Sequence, residues 1–150
     1  MIGRSNGAPV SITGLGTYAP ERVLSNAELA KLVDTSDEWI IERTGIKERR
    51  IAAPEQAMTD LALPAARMAL ERAGVEPEEI DLIIVATVTP DMMFPTTASL
   101  LADLLPAPKA AAYDLLAGCT GFVYALPQGH AMVSAGVTKK SLVVGGDVLS

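Results

Sequence analysis

The one cysteine of the chain, Cys119, lies in the run Leu115-Leu116-Ala117-Gly118-Cys119-Thr120-Gly121-Phe122, with Gly118 before it and Gly121 two positions after. The apolar stretch on its N-terminal side reads as a strand and the one on its C-terminal side as a helix. The thiol therefore falls at a strand-to-helix turn. Glycines there permit a sharp turn and close approach by a substrate. The N–H groups of a first helical turn would point at such a thiol, and the positive end of the helix dipole favours the thiolate, the form that attacks a thioester. A lone cysteine is also commonly a small buried hydrophobe, and on the residues alone both readings stand.

A cysteine nucleophile needs a base and a polarising donor. His130 is the single histidine, and it lies eleven residues beyond Cys119 on the same predicted helix, roughly 16 Å of rise away. Only a helix folded back at Pro127 would bring the two together, and interior prolines kink helices rather than reverse them. His130 reads as a helix-surface residue, so the partners of the thiol are expected from outside this sequence.

A second segment, Asp34-Thr35-Ser36-Asp37-Glu38-Trp39-Ile40-Ile41-Glu42-Arg43-Thr44-Gly45, sets Trp39 and Arg43 four residues apart, on one helix face. An indole beside a guanidinium offers a stacking plane and a charged donor fork, the requirements of an adenine ring and a phosphate. The plainer alternative makes Trp39 a core residue and pairs Arg43 with Glu38 or Glu42. Lys47, Arg49 and Arg50 follow as a small basic cluster, which is equally a solvated stretch.

The elements that must position these residues follow from periodicity. Val10 to Leu15, Leu82 to Val88, Ala110 to Leu116 and Ser141 to Val148 read as strands, with Glu48 to Ala52 a weaker fifth. Two of them are almost wholly apolar, as in strands covered on both faces. Between them, Asn26 is expected to cap a helix over Ala27 to Val33, and Ser36 to cap Asp37 to Arg43 with Gly45 just beyond its end. Thr59 opens a helix ending at Gly74, which Pro64 should kink or delay. Thr96 or Thr97 opens one running to Leu105, and Thr120 to Ala135 forms the last, ended by Gly136 with Pro127 inside. Strands alternating with helices predict an α/β fold of βαβ units around a largely parallel sheet covered by helices.

With 150 residues the chain has the size of one domain. Hydrophobic residues make up 49% and aromatics only 4%, so the core is expected to be built from small aliphatic side chains. A net charge of −6 argues against a nucleic-acid partner, which clustered Lys and Arg would serve. One cysteine forms no internal disulfide, and no charged-then-apolar leader precedes Ser11. The expectation is a cytoplasmic protein. Apolar runs such as Leu82 to Ala86 are far shorter than the ~20 residues of a membrane span. The strand-like run Val143 to Val148, so close to the last residue, raises the expectation of a truncated chain.

Taken together, ITGLGTYAPERVLSNAEL, VDTSDEWIIERTGIKERRIA, the Phe94-Pro95 loop, LLAGCTGFVYAL and LVVGGDVLS resemble the ketosynthase III family (β-ketoacyl-ACP synthase III) of fatty-acid synthesis, in order and spacing, from about Ser11 onward. The resemblance implies a thiolase-like fold of two similar α/β halves, usually a homodimer, in which residues 1–150 form the N-terminal half and the C-terminal half is absent. It implies that Cys119 takes an acetyl or other short acyl primer from acyl-CoA, that Trp39 stacks on the adenine, and that Thr35 and Arg43 hold the nucleotide and phosphates of CoA. Phe94 would reach across the dimer interface to shape the neighbour's primer pocket; an ordinary packed loop phenylalanine is the alternative.

The implied reaction transfers the acyl group to the thiolate and then condenses it with malonyl-ACP, with loss of carbon dioxide, to give a 3-ketoacyl-ACP. Its His and Asn donors, an oxyanion-stabilising pair, would belong to the C-terminal half. No metal or cofactor is implied, CoA thioester entering as substrate. The partners implied are acyl-CoA, malonyl-ACP and the remaining half of the enzyme, with no nucleic acid and no membrane. Pro64 and Pro127 depart from the family pattern, and no strongly basic surface for acidic ACP is evident. Two other readings stand beside this one: a related acyltransferase with another acceptor, and a non-catalytic subunit that pairs with a catalytic one.

Overall fold

The computed structural model describes residues 7–150. They divide into two compact units, one of Ala19–Gln56 with Ser150, the other of Ala57–Leu149 with the described residues up to Tyr18.

The smaller unit is an antiparallel pair of strands with two helices. Strand β1 (Arg22–Ser25) pairs with β2 (Glu48–Ile51), from Arg22 opposite Ile51 to Ser25 opposite Glu48. The sequence marked β2 as a weak strand and missed β1. Helix α1 (Asn26–Leu29) corrects the expected cap. Ser25, not Asn26, is the N-cap: its hydroxyl accepts from the Glu28 N–H at 3.2 Å, and the Glu28 carboxylate accepts from the Ser25 N–H at 3.0 Å. This reciprocal box satisfies two helix-end donors and frees the Asn26 side chain to turn inward. The helix also ends at Leu29 rather than Val33.

Helix α2 (Asp37–Thr44) follows the sequence closely. The Ser36 hydroxyl accepts from the Trp39 N–H at 3.2 Å. At the other end Gly45 adopts φ 72° and its N–H donates to the Ile41 carbonyl at 2.9 Å, a left-handed stop that glycine adopts without a side-chain penalty. Asp37 and Glu38 occupy the first turn, where they complement the dipole.

The larger unit is a three-layer α/β sandwich. Strands β3 (Leu82–Ala86), β4 (Ala111–Leu115) and β5 (Ser141–Gly145) form a wholly parallel sheet in the order β4-β3-β5. All five β3 residues are buried, which explains the unbroken apolar run: a central strand covered on both faces has no polar side. Ile83 and Val85 pack with Ala62, Ala66 and Leu70 of α3 (Met58–Ala73) and with Ala98 and Leu101 of α4 (Thr97–Leu104). Leu82, Ile84 and Ala86 face the other way, against Ala125 of α5 (Gly121–Ser134).

Both interior prolines lie in uninterrupted helices, Pro64 in α3 and Pro127 in α5. Helix α3 starts six residues before Pro64, so the proline does not delay it. Its first-turn donors are met by carboxylates: Asp60 accepts from the Ala57 N–H at 2.8 Å and Asp91 from the Thr59 N–H at 3.1 Å. Thr96 caps α4, its hydroxyl accepting from the Ser99 N–H at 3.2 Å.

The expected strand over Val10 to Leu15 is not one. Residues 7–20 carry no regular structure, and Gly14 and Gly16 instead lie directly on α3. A Cβ on either would stand 2.1 Å from the Ala69 carbonyl oxygen or 1.9 Å from that of Ala65. Arg72 reaches back from α3 to donate to the Leu15 carbonyl at 2.9 Å. Alternation alone predicted a strand, but it does not say whether a partner strand or a helix receives the segment. Strand β5 likewise ends at Gly145 rather than Val148. Beyond it the Gly146 N–H still donates to the Ala86 carbonyl at 3.2 Å, after which side chains take over: Asp147 accepts from the Val88 N–H at 2.8 Å, and the Val148 N–H donates to the Thr89 hydroxyl at 2.8 Å.

Candidate active site

In open α/β sheets ligands bind beyond the carboxyl ends of the strands, and Cys119 lies there, four residues after the last residue of β4. The chain leaves β4 through Gly118, whose φ of 57° lies in the left-handed region. A Cβ on Gly118 would meet nothing within 4 Å. Glycine is therefore demanded by backbone conformation, not by crowding. Gly118–Thr120 then make a short 3-10 turn, closed by the Thr120 hydroxyl donating to the Ala117 carbonyl at 2.8 Å.

Helix α5 begins at Gly121, one residue later than Thr120, with a different need for glycine. A Cβ on Gly121 would come to 3.2 Å from that of Ala86, so its absence lets the helix settle on β3. The Gly121 N–H donates to the Gly118 carbonyl, so this first donor is not directed at the thiol. Cys119 itself is exposed. His130 is exposed on α5, as its place in the sequence predicts.

Phe94 lies in the same unit, in the loop joining β3 to α4, and is 84% exposed. It is not packed. The loop is stapled on either side of it: the Asp91 N–H donates to the Thr97 hydroxyl at 3.2 Å, and the Asp114 carboxylate accepts from the Thr97 and Ala98 N–H groups, each at 2.8 Å. Sequence reasoning passed over Asp91 and Asp114. A carboxylate in the middle of the apolar run Ala110 to Leu116 was the available signal, since such a group needs donors.

The smaller unit holds Thr35, Trp39 and Arg43. The Arg43 guanidinium carbon lies 5.0 Å from the Trp39 ring centroid, a cation–π pair. Trp39 is 53% exposed, so it is not a core residue, and among the described residues Arg43 forms no ion pair with Glu38 or Glu42. Four residues before Trp39, the Thr35 hydroxyl is buried with no hydrogen-bond partner among the described residues. The basic cluster is partly engaged: Arg50 contacts Glu48 at 3.6 Å and the Pro20 carbonyl at 3.2 Å, and Arg49 donates to Asn26. Among the described residues, no group of three or more His, Cys, Asp and Glu side chains is placed to hold a metal ion, and no helix is long and apolar enough to cross a membrane.

Chemically, these features amount to an exposed thiol on a glycine-dependent turn and, in the other unit, an exposed aromatic plane edged by a cation. The family profile described as 3-oxoacyl-[acyl-carrier-protein (ACP)] synthase III matches residues 113–150, the span with Cys119. The β-ketoacyl-[acyl-carrier-protein] synthase III of Symbiobacterium thermophilum is 56% identical over 142 residues, 95% of this chain and 43% of that protein. Over the span it covers, the chain matches the β-ketoacyl-ACP synthase III family.

Solved structures agree. The 3-oxoacyl-[acyl-carrier-protein] synthase III of Aquifex aeolicus superposes with a TM-score of 0.89 at 50% identity, over 92% of this chain and 44% of that one. The priming β-ketosynthase of the R1128 polyketide pathway also superposes at 0.89, at 40% identity, over 92% of this chain and 41% of that one. The fold is thiolase-like α/β, as the sequence resemblance implied. The chain spans about 43% of the length of the curated relatives it matches.

Proposed function

We propose that this chain is the nucleophile-bearing N-terminal half of a β-ketoacyl-ACP synthase III that initiates fatty-acid synthesis. The observation that carries the reading is Cys119, exposed on a turn set by the left-handed Gly118 at the carboxyl end of β4, within a span that matches the family. In the proposed reaction the Cys119 thiolate attacks the carbonyl of acetyl-CoA or another short acyl-CoA and expels CoA thiolate, leaving an acyl-enzyme. Malonyl-ACP then loses carbon dioxide, its carbanion attacks the acyl-enzyme carbonyl, and Cys119 departs as thiolate from the 3-ketoacyl-ACP. Stabilisation of the thioester oxygen falls to the His and Asn of the family's C-terminal half.

Trp39, Arg43 and Thr35 are assigned to CoA. The exposed indole suits adenine and the guanidinium suits phosphate, and Thr35 is assigned with them by the family resemblance alone. Phe94, held out on its stapled loop, is assigned to the primer pocket of a second copy in a cytoplasmic homodimer.

Intact-mass analysis of the full-length protein after incubation with acetyl-CoA tests the reading. An added acetyl group, mapped to Cys119 and lost in Cys119→Ala, is expected, followed by acetoacetyl-ACP when malonyl-ACP is supplied. A second reading, a related enzyme with another acceptor, draws on the similarity to the polyketide priming β-ketosynthase; efficient acyl transfer to a different acceptor, with none to malonyl-ACP, would favour it. If iodoacetamide leaves Cys119 unmodified while acyl-CoA still binds, the chain is instead a non-catalytic subunit.

A further inference from the structure

Helix α2 carries Trp39 and Arg43 but has little to hold it. It is eight residues long and buries one side chain, Ile40. Helices under about 12–15 residues are marginal by themselves, so the direction of this one must be set by contacts at its ends. Both ends converge on a single side chain. Asn26 is 1% exposed, and its amide nitrogen donates to the Asp37 carboxylate at 2.7 Å and to the Ile46 carbonyl at 2.8 Å. Asp37 is the first residue of α2, and Ile46 lies two residues beyond its last. The amide oxygen of Asn26 accepts from the Arg49 guanidinium on β2.

The chemistry of the position admits few side chains. It needs a donor toward a carboxylate and a carbonyl, and an acceptor toward a guanidinium, within one short buried group. A carboxamide provides this. A carboxylate would face Asp37 and the Ile46 carbonyl with no donor, and a methyl group would leave a half-buried guanidinium and the Ile46 carbonyl unpaired. The backbone adds to the clamp: the Asn26 N–H donates to the Lys47 carbonyl at 3.3 Å. Because Ser25 caps α1, nothing at the helix end requires an asparagine here.

We infer that Asn26 is the positioning residue of the nucleotide grip, fixing both ends of α2 so that Trp39 and Arg43 are held ready for acyl-CoA. The inference rests on the assignment of Trp39 and Arg43 to CoA made above.

The test uses the full-length enzyme and steady-state kinetics with both substrates. Asn26→Asp is expected to raise KM for acetyl-CoA about tenfold, within the ~100-fold that a 1 Å misplacement can cost, while KM for malonyl-ACP stays within about twofold. Asn26→Asp combined with Asp37→Asn restores a donor opposite an acceptor and should recover most of the loss. Asp37→Ala, at an exposed position, removes one clamp and should raise KM for acetyl-CoA about threefold; it decides the matter if the Asn26 variants do not fold. Trp39→Ala serves as the reference. If Trp39→Ala raises KM and neither Asn26→Asp nor Asp37→Ala does, the positioning role is overturned while the CoA assignment survives. If Trp39→Ala has no effect, both fall. Equal losses with both substrates, unrescued by the double substitution, overturn the inference in favour of a purely structural role.

Discussion

The guanidinium carbon of Arg43 lies 5.0 Å from the centroid of the Trp39 ring, one turn along α2. An exposed pair of this kind contributes only about 0.5–1 kcal/mol to stability, so its main consequence is a plane and a charge already set in register. Trp39→Ala is expected to weaken CoA binding by roughly 5- to 150-fold, the equivalent of about 1–3 kcal/mol for a stacked base, with little change in Tm. Calorimetric titration with CoA measures it, and unchanged affinity would remove Trp39 from the grip.

Gly118 tests the turn. A side chain there meets open space but must adopt φ 57°, which costs an L residue about 1–2 kcal/mol. Gly118→Ala should lower stability to urea by that amount and slow acetylation of Cys119, and Gly118→Asn should lose less because asparagine tolerates the left-handed region. Equal stability of all three proteins would show that the turn does not depend on glycine.

Asp114→Ala removes both carboxylate bonds at the start of α4. Losing a charged cap of two bonds should cost about 2 kcal/mol, measurable by urea denaturation. Asp114→Asn, which keeps one acceptor oxygen, should fall between. A loss under about 0.5 kcal/mol, the lower end of cap substitutions, would mean that water satisfies these donors equally well.

Acid stability reports on Asp81. The Lys139 N–H at 2.7 Å and the Lys140 N–H at 3.1 Å hold its carboxyl below the ordinary value of 3.8, aided by the charges of Lys139 and Lys109. Its folded value is depressed, so its contribution is fully present above about pH 4 and is lost as pH falls through the lower folded value. Asp81→Asn should therefore destabilise the protein at pH 7 and flatten the acid limb below pH 4. Identical acid limbs in thermal melts would contradict this.

How far the sequence could be read depended on whether a signal was local. Ser36 and Gly45 bound α2 where expected because a cap and a left-handed stop act within one turn. The run from Leu82 was legible because burial on both faces leaves no polar position. Asn26 was misread as a cap for a longer helix: asparagine suits that role, but Ser25 took it, and the amide's partners Asp37, Ile46 and Arg49 are eleven to twenty-three residues away. Val10 to Leu15 failed for a similar reason. Its glycines mark close approach, but only the fold says that the surface approached is α3.

The sequence by itself determined the α/β alternation, the glycine turn around Cys119 and the Trp39–Arg43 spacing, because each follows from residues within a few positions of one another. Tertiary structure decided what those residues face. It showed that Cys119 and Trp39 are exposed, that Gly118 serves conformation while Gly121 serves packing, and that one buried carboxamide joins both ends of α2. Exposure at Cys119 and the partners of Asn26 depend on residues distant along the chain and adjacent in space, so the local patterns around them do not encode them.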